Sequence, residues 1–173
     1  LAHAVADPCE GSSCALMFAG MLAGIGFGNA GCHLPHGMSY AVAGLVKDYA
    51  PEGWPTDHPM VPHGISVIVN SPAVFRKTGP ACAERHWQAA AAMGADLTDT
   101  NVEDGGDILA DQILGMMKKT GIPNGLSGVG YTAADLDALT DRSFAQKRLI
   151  DNGPMPITRG ELKELFRDAM TYW

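Results

Sequence analysis

Four histidines lie between residues 29 and 64, at His33, His36, His58 and His63. His36 and His63 each occupy the middle of a Pro-His-Gly tripeptide. Proline and glycine favour a bend or the start of an element, and imidazole is a common ligand of zinc, iron, copper and nickel. The two histidines are too far apart for a local clip, so the fold must bring their rings together before they can share an ion. Satisfied histidines in turns or in the core are the alternative explanation of this pattern.

The composition indicates one globular domain. The chain has 173 residues, of which 46% are hydrophobic and 18% charged. That is enough for a single core and too apolar for a disordered segment. The net charge of −7 argues against nucleic acid or an anionic membrane as the partner. The four cysteines contain no C-x-x-C pair, and no signal peptide is evident. Both observations favour reduced thiols and a cytoplasmic location.

Two glycine-containing motifs near the start are coincidental matches to known patterns. The uncharged run 14–31 carries Gly20, Gly24 and Gly28 at a spacing of four, as in membrane helices. Its content of Ala, Gly and Met instead predicts a buried helix packed tightly by its neighbours in a soluble domain. Residues 26–31 fit G-x-G-x-x-G, but no β-branched strand precedes them and Pro35 follows soon after. We therefore do not expect a dinucleotide loop there.

The remaining chain has mainly helical periodicity. Apolar spacing and capping signals predict helices over 38–49, 80–94, 101–119 and 143–150, one starting with the Thr132–Asp135 capping box, and one starting at Thr158. The β-branched segment 65–75 is either a short buried strand or a helix that Pro72 kinks or ends. With no confident strand, the sequence predicts an all-α domain.

The motifs resemble those of a known family. The run AGIGFGNAG-x-HL-x-HGMSY, the later DHP-x-VPHG-x-SV and SPAVF, and the closing GIPNGL and GVGYTAADLDAL together cover nearly the whole chain. They are similar to the iron-containing alcohol dehydrogenases, within the dehydroquinate synthase-like fold. The branch of hydroxyacid–oxoacid transhydrogenases is the most similar. The resemblance implies that this chain is the helical C-terminal domain of such an enzyme.

The same resemblance implies a metal site. The family holds Fe2+, or sometimes Zn2+, with one Asp and three His in a cleft between two halves. Alignment from Phe27 puts one ligand on His36 and another on His63, with His33 as the rival for the first. The family's histidine four residues after its first ligand corresponds here to Tyr40. Tyr40 is then the candidate catalytic residue, although the substitution puts a proton-relay role in doubt.

Two parts of the family pattern have no counterpart in residues 1–173. These are the D-x-x-x-H segment that supplies the other two ligands and the glycine-rich loop that binds NAD(P). We therefore expect 1–173 to be a single helical domain, the C-terminal half of a two-domain enzyme whose N-terminal α/β half binds the nucleotide. Two imidazoles alone leave iron or zinc under-ligated. The isolated chain should bind metal poorly and be inactive.

The implied reaction is hydride transfer through NAD(P) from a hydroxyacid such as 4-hydroxybutyrate to an oxoacid such as 2-oxoglutarate. Candidate cations for these anionic substrates are Lys47, Arg76, Lys77, Arg85 and His86. The alternatives are oxidation of a small-molecule alcohol by a general iron-dependent dehydrogenase, and a non-catalytic helical binding module. Self-association into a homo-oligomer stays open.

Overall fold

The computed structural model describes residues 2–173, with side chains from residue 4 onward. This part of the chain contains no strand, as the all-α prediction requires. Its α-helices are α1 (Ala2–Ala6), α2 (Glu10–Ala30), α3 (Leu34–Gly44), α4 (His63–Ile68), α5 (Ser71–Thr78), α6 (Ala83–Ala92), α7 (Gly105–Lys119), α8 (Leu136–Phe144), α9 (Lys147–Ile150) and α10 (Arg159–Asp168). Short 3-10 turns lie at Gly79–Ala81, Val102–Asp104, Ser127–Val129 and Ala133–Asp135.

Local signals explain several helix ends. The Thr132–Asp135 capping box is confirmed: the Thr132 amide and hydroxyl both donate to the Asp135 carboxylate, at 2.8 and 3.0 Å. Thr158 and Glu161 form a second capping box at the start of α10. Gly121, just beyond α7, has a φ of +69°, a left-handed conformation that a residue with a side chain rarely adopts.

The core lies where α3 packs against α4 and α8, with α5 and α7 behind them and α10 against α8. Its largest fully buried side chains include Leu34, Met38, Met117, Leu126, Leu139, Ile150, Leu162, Leu165 and Phe166. Tyr131, which precedes α8, is linked to α3, because its buried hydroxyl donates to the Val42 carbonyl at 2.6 Å. This packing fixes α3, the helix on which the predicted site depends.

Several predicted segments differ from the structure in their bounds. The predicted helix 80–94 is the shorter α6 (Ala83–Ala92), and the predicted helix 143–150 is interrupted, because α8 ends at Phe144 and α9 spans only Lys147–Ile150. The predicted helix 38–49 is instead α3, which starts earlier because Pro35 fits its first turn and ends at Gly44. Segment 65–75 is helical, but as two helices, and Pro72 lies in the first turn of α5 rather than kinking a longer helix. Its β-branched residues therefore reflect burial and not a strand.

Helix α2 corrects a further prediction, since none of its residues is buried. Its large apolar side chains are Leu16, Met17, Phe18, Met21, Leu22, Ile25 and Phe27, and all are exposed. The helix packs on α1, and its end is tied down where the Asn152 amide donates to the Ala30 and Cys32 carbonyls, at 3.1 Å each. The neighbours that we expected to cover α2 are therefore not supplied by the described residues. By length and composition alone, α2 could cross a membrane.

Candidate metal and substrate site

One face of α3 is left open by the core. His36, Tyr40, Ala43 and Gly44 are partly or fully exposed, whereas most of the intervening residues are buried. These positions follow the i, i+4, i+7, i+8 spacing of a single helical stripe. His36 lies at the N-terminal end of this stripe, and Tyr40, Ala43 and Gly44 line a cleft next to it.

His36 and His63 lie in two copies of one local motif, Pro-His-Gly-x-Ser. In each copy the serine hydroxyl donates to the histidine carbonyl three residues earlier, Ser39 to His36 and Ser66 to His63, both at 2.8 Å. Each histidine thus lies in the first turn of its helix with its carbonyl engaged. The matching turns aim the two side chains from α3 and α4 towards the same space.

The fold brings the two rings together, as the family resemblance implied. Their centroids lie 5.3 Å apart with 57° between the ring planes. Two imidazoles that bind one tetrahedral ion at about 2.0–2.1 Å have ring centroids about 5 Å apart, so the pair fits one metal. Burial, and then the neighbouring imidazole of His63, lower the pKa of His36. Both effects favour the neutral ring that a metal requires.

The pair does not complete a coordination shell. The described residues contain no cluster of three or more His, Cys, Asp or Glu side chains suited to a metal. Zinc sites use at least three protein ligands. Any further protein ligands must therefore come from outside the residues that the structure describes.

His33, the rival ligand, has a different environment. Its ring lies against Phe75, at a centroid distance of 6.1 Å, and its Nδ1 is buried without a hydrogen-bond partner. Burial lowers the pKa of His33, and His86 and then His36 add to the effect. The His33 ring is therefore packed against Phe75, whereas the His36 ring is paired with His63.

Tyr40 lies one turn after His36 and is 49% exposed. It lines a cavity of ≈ 410 Å³, here called the α3–α4 cleft, whose walls are Ser39, Tyr40, Ala43, Gly44, His63 and Arg142. The phenol and the His63 imidazole thus share one opening. The Tyr40 hydroxyl can donate or accept a hydrogen bond there.

The five predicted cations do not line this cleft. Each already has a partner: Lys47 with Asp135, Arg76 with Asp107 and Asp111, Lys77 with Glu161, Arg85 with Gln88, and the ring nitrogens of His86 with Thr78 and Cys82. The cation in the cleft is Arg142 of α8, which the sequence analysis missed. No local motif marks Arg142, because only the packing of α8 on α3 places it there.

A larger cavity, of ≈ 940 Å³, lies on the other side of α4. Its walls are mainly apolar and include Tyr49, Trp54, Ile65, Ile68, Met93, Met116 and Met117, with no histidine among them. It has the volume of a ligand site, but Tyr49 and Glu52 are the only titratable groups among its described lining residues, and they are not joined there by an imidazole or a cation. The α3–α4 cleft is therefore the better candidate for chemistry.

Residues 2–170 match the model of the Fe-containing alcohol dehydrogenase family, C-terminal. The chain is 46% identical over 156 residues to the mitochondrial hydroxyacid-oxoacid transhydrogenase of Xenopus laevis. The match covers 90% of this chain and 34% of that protein. It is 43% identical to the protein of the same name from Homo sapiens, over 88% of this chain and 32% of that protein. The chain thus spans about a third of the length of these relatives. Their names place them in mitochondria, whereas the cytoplasmic location of this chain stays a prediction.

The fold also matches solved structures. A 1,3-propanediol oxidoreductase superimposes with a TM-score of 0.75 at 24% identity, over 88% of this chain and 36% of that one. An alcohol dehydrogenase from Oenococcus oeni superimposes with a TM-score of 0.74 at 21% identity, over 86% of this chain and 35% of that one. At these identities the likeness concerns the fold, and it agrees with the predicted helical domain.

Proposed function

Since the chain belongs to the Fe-containing alcohol dehydrogenase family, we propose that it is the helical, metal-binding half of an NAD(P)-linked enzyme. The proposed reaction transfers hydride from a hydroxyacid such as 4-hydroxybutyrate to an oxoacid such as 2-oxoglutarate. Identity of 46% and 43% to proteins named hydroxyacid-oxoacid transhydrogenase supports this choice over simple alcohol oxidation.

The single observation that carries the site is the pairing of His36 with His63. The 5.3 Å centroid distance suits two imidazoles on one ion, Fe2+ or Zn2+. Such an ion supplies Lewis acidity that lowers the pKa of an alcohol at the site and polarises a carbonyl. The role of this chain is to hold two ligands on separate helices in fixed turns, and to leave the α3–α4 cleft open for the substrate.

Tyr40 is the proposed proton-handling residue of this half. Its hydroxyl lies one turn from His36, in the cleft shared with His63, and is open to solvent. A group in that position can pass a proton between the substrate oxygen and water. Tyr40→Phe should therefore lower kcat while leaving the metal content unchanged.

The remaining ligands and NAD(P) are proposed to belong to an N-terminal α/β half. The family match to a C-terminal region and the coverage of about a third of the relatives support this division. The exposed apolar side chains of α2 support it too, because such a surface in a soluble enzyme normally packs against protein. We propose that the α/β half covers α2 and closes the cleft.

The deciding experiment is performed on the full gene product. Metal content is measured by mass spectrometry, and hydride transfer is followed with 4-hydroxybutyrate and 2-oxoglutarate without added nucleotide. We expect a bound transition metal and transfer between the two acids. The isolated 173-residue chain, incubated with iron or zinc and NAD, should show no turnover.

Other outcomes separate the alternatives. Oxidation of simple alcohols that depends on added NAD, without transfer between acids, would identify a general alcohol dehydrogenase. A full gene product with neither metal nor turnover would identify a non-catalytic helical module.

A further inference from the structure

Arg142 is a cation in the α3–α4 cleft whose charge has no carboxylate partner among the residues that the structure describes. It lines the cavity together with Tyr40 and His63, and it makes no ion pair with any described residue. The protein carries a net charge of −7, so an arginine without a carboxylate partner is not explained by a shortage of acids. The carboxylates nearest to it in sequence are already neutralised by other cations.

The ion pairs of α8 show how this separation arises. Asp141 accepts from Arg159 at 2.7 Å, and Asp137 accepts from Lys163 at 2.8 Å, so the acidic side of α8 faces α10. Asp135, just before α8, is bound by Lys47 at 2.6 Å. Arg142 is left on the side of α8 that faces α3. The carboxylates of α8 thus face α10, whereas the Arg142 guanidinium, which is not neutralised by a described carboxylate, faces the cleft.

Gly44 makes room for that guanidinium. A Cβ built at Gly44 would lie 2.7 Å from both Nε and Nη2 of Arg142. Only the absence of a side chain at this position lets the guanidinium lie against the surface of α3. The planar fork is thereby placed against the wall of the cleft, where its N–H groups can meet an anion.

The spacing along α3 separates this charge from His36, whereas His63 lines the same cavity as Arg142. Gly44 is eight residues after His36, which corresponds to about 12 Å along the helix axis. A ligand suits this arrangement if its anionic group is several bonds away from its reacting carbon. Both acids in the proposed reaction carry such a carboxylate, and a nicotinamide nucleotide carries such a diphosphate.

We propose that Arg142 forms an anion-binding subsite of the α3–α4 cleft, which holds the anionic group of a ligand whose reacting end lies at His36 and His63. The inference rests on the proposed function, which supplies the ligands, and adds a specificity-determining residue to it. A guanidinium binds a carboxylate or a phosphate through paired charge-assisted hydrogen bonds. Loss of such a contact should weaken binding about tenfold or more.

The test uses the full gene product and two unreactive probes, measured by titration calorimetry. Glutarate presents carboxylates alone, and ADP-ribose presents the diphosphate. Arg142→Ala removes the charge, and Arg142→Lys keeps the charge but not the planar guanidinium. Gly44→Ala displaces the guanidinium from the surface of α3 while Arg142 is retained. Arg85→Ala is the matched control, because Arg85 is an exposed arginine without an ion pair on α6.

We expect Arg142→Ala to weaken binding of one probe about tenfold or more, Gly44→Ala to weaken the same probe less, and Arg85→Ala to change neither. Weaker binding of glutarate alone identifies the substrate carboxylate as the ligand, and weaker binding of ADP-ribose alone identifies the nucleotide diphosphate. The proposal is overturned if Arg142→Ala behaves as Arg85→Ala does, or if the wild-type protein binds neither probe. Hydride transfer is assayed separately: its absence, with probe binding intact and dependent on Arg142, would overturn the proposed reaction and leave the subsite.

Discussion

His36 and His63 face each other with ring centroids 5.3 Å apart, and each lies in the first turn of a helix with its carbonyl bound by a serine three residues on. Because the two imidazoles are held by separate helices, the loss of either ring leaves half of the pair in place. We expect half of the pair to be insufficient for metal retention, since other ligands must already be supplied from outside the described residues.

The first prediction is that His63→Ala in the full gene product abolishes both metal content and hydride transfer. His58→Ala is the control, because His58 is an exposed histidine of the preceding loop that pairs with Asp57. Metal content is measured by mass spectrometry and activity with the two acids. Wild-type metal stoichiometry in His63→Ala would remove His63 from the site.

The same measurement separates His36 from His33. His36→Ala should lose the metal as His63→Ala does, because its ring is the one paired with His63. His33→Ala should retain the metal and instead lower the melting temperature slightly, because its ring packs against Phe75. The reverse result would show that the alignment from Phe27 is one turn out of register.

Much of the fold follows from local patterns, because helices are specified by residues close in sequence. The capping box at Thr132 and the helix end at Gly121 are examples. The pairing of the two Pro-His-Gly histidines, by contrast, was expected from the family resemblance and not from their local context. The features that sequence reasoning missed are long-range. Arg142 reaches the cleft only through the packing of α8 on α3. The exposure of α2 could not be read from its composition, since a buried helix and an interface helix have the same apolar pattern.

The second prediction concerns the apolar face of α2 formed by Phe18, Met21, Leu22 and Ile25. If the other half of the enzyme covers this face, Phe18→Glu combined with Ile25→Glu should destabilise the full gene product by about 3 kcal/mol or more, because both charges would be buried without partners. Thermal unfolding measures the loss. Val102→Glu is the control, an exposed apolar position elsewhere.

An unchanged melting temperature in the α2 double variant would show that protein does not cover the face. Flotation with lipid vesicles then tests the remaining explanation, since α2 has the length and composition of a membrane-spanning helix. If the wild-type protein floats with the vesicles and the double variant does not, the apolar face of α2 binds lipid.

The third prediction concerns acid stability and Glu161. The Thr158 backbone amide, then the Lys77 ammonium and the Thr158 hydroxyl, lower the pKa of Glu161 from 4.5 to about 2. A carboxyl whose pKa is lowered by folding stabilises the folded state above its unfolded pKa, and this contribution disappears as the pH falls through the folded pKa. The protein should therefore lose stability between about pH 4.5 and pH 2.

Glu161→Gln keeps a side chain that can accept the capping hydrogen bonds but removes the titrating charge. Its melting temperature should be lower than that of the wild type at pH 6 and should fall less on acidification to pH 2.5. Lys77→Met, which removes one of the groups that lower the Glu161 pKa, should show an intermediate response. Parallel melting curves for Glu161→Gln and the wild type across this range would contradict the assignment.

The fourth prediction links the core to the site through Tyr131, whose buried hydroxyl donates to the Val42 carbonyl of α3 at 2.6 Å. Tyr131→Phe removes the donor and leaves that carbonyl unsatisfied at a buried position, which should cost about 1–3 kcal/mol of the free energy of unfolding. Because Val42 lies two residues beyond Tyr40 on the same helix, the variant should also raise KM more than it lowers kcat, if it only loosens the wall of the cleft. Denaturant unfolding gives the change in the free energy of unfolding, and steady-state kinetics give KM and kcat.

Leu139→Ala is the comparison, since it opens a cavity in α8 without removing the hydrogen bond to the Val42 carbonyl. It should cost about 2–5 kcal/mol of the free energy of unfolding. If Tyr131→Phe is as stable as the wild type, then α3 is held by its apolar packing alone and the hydroxyl does not position the site.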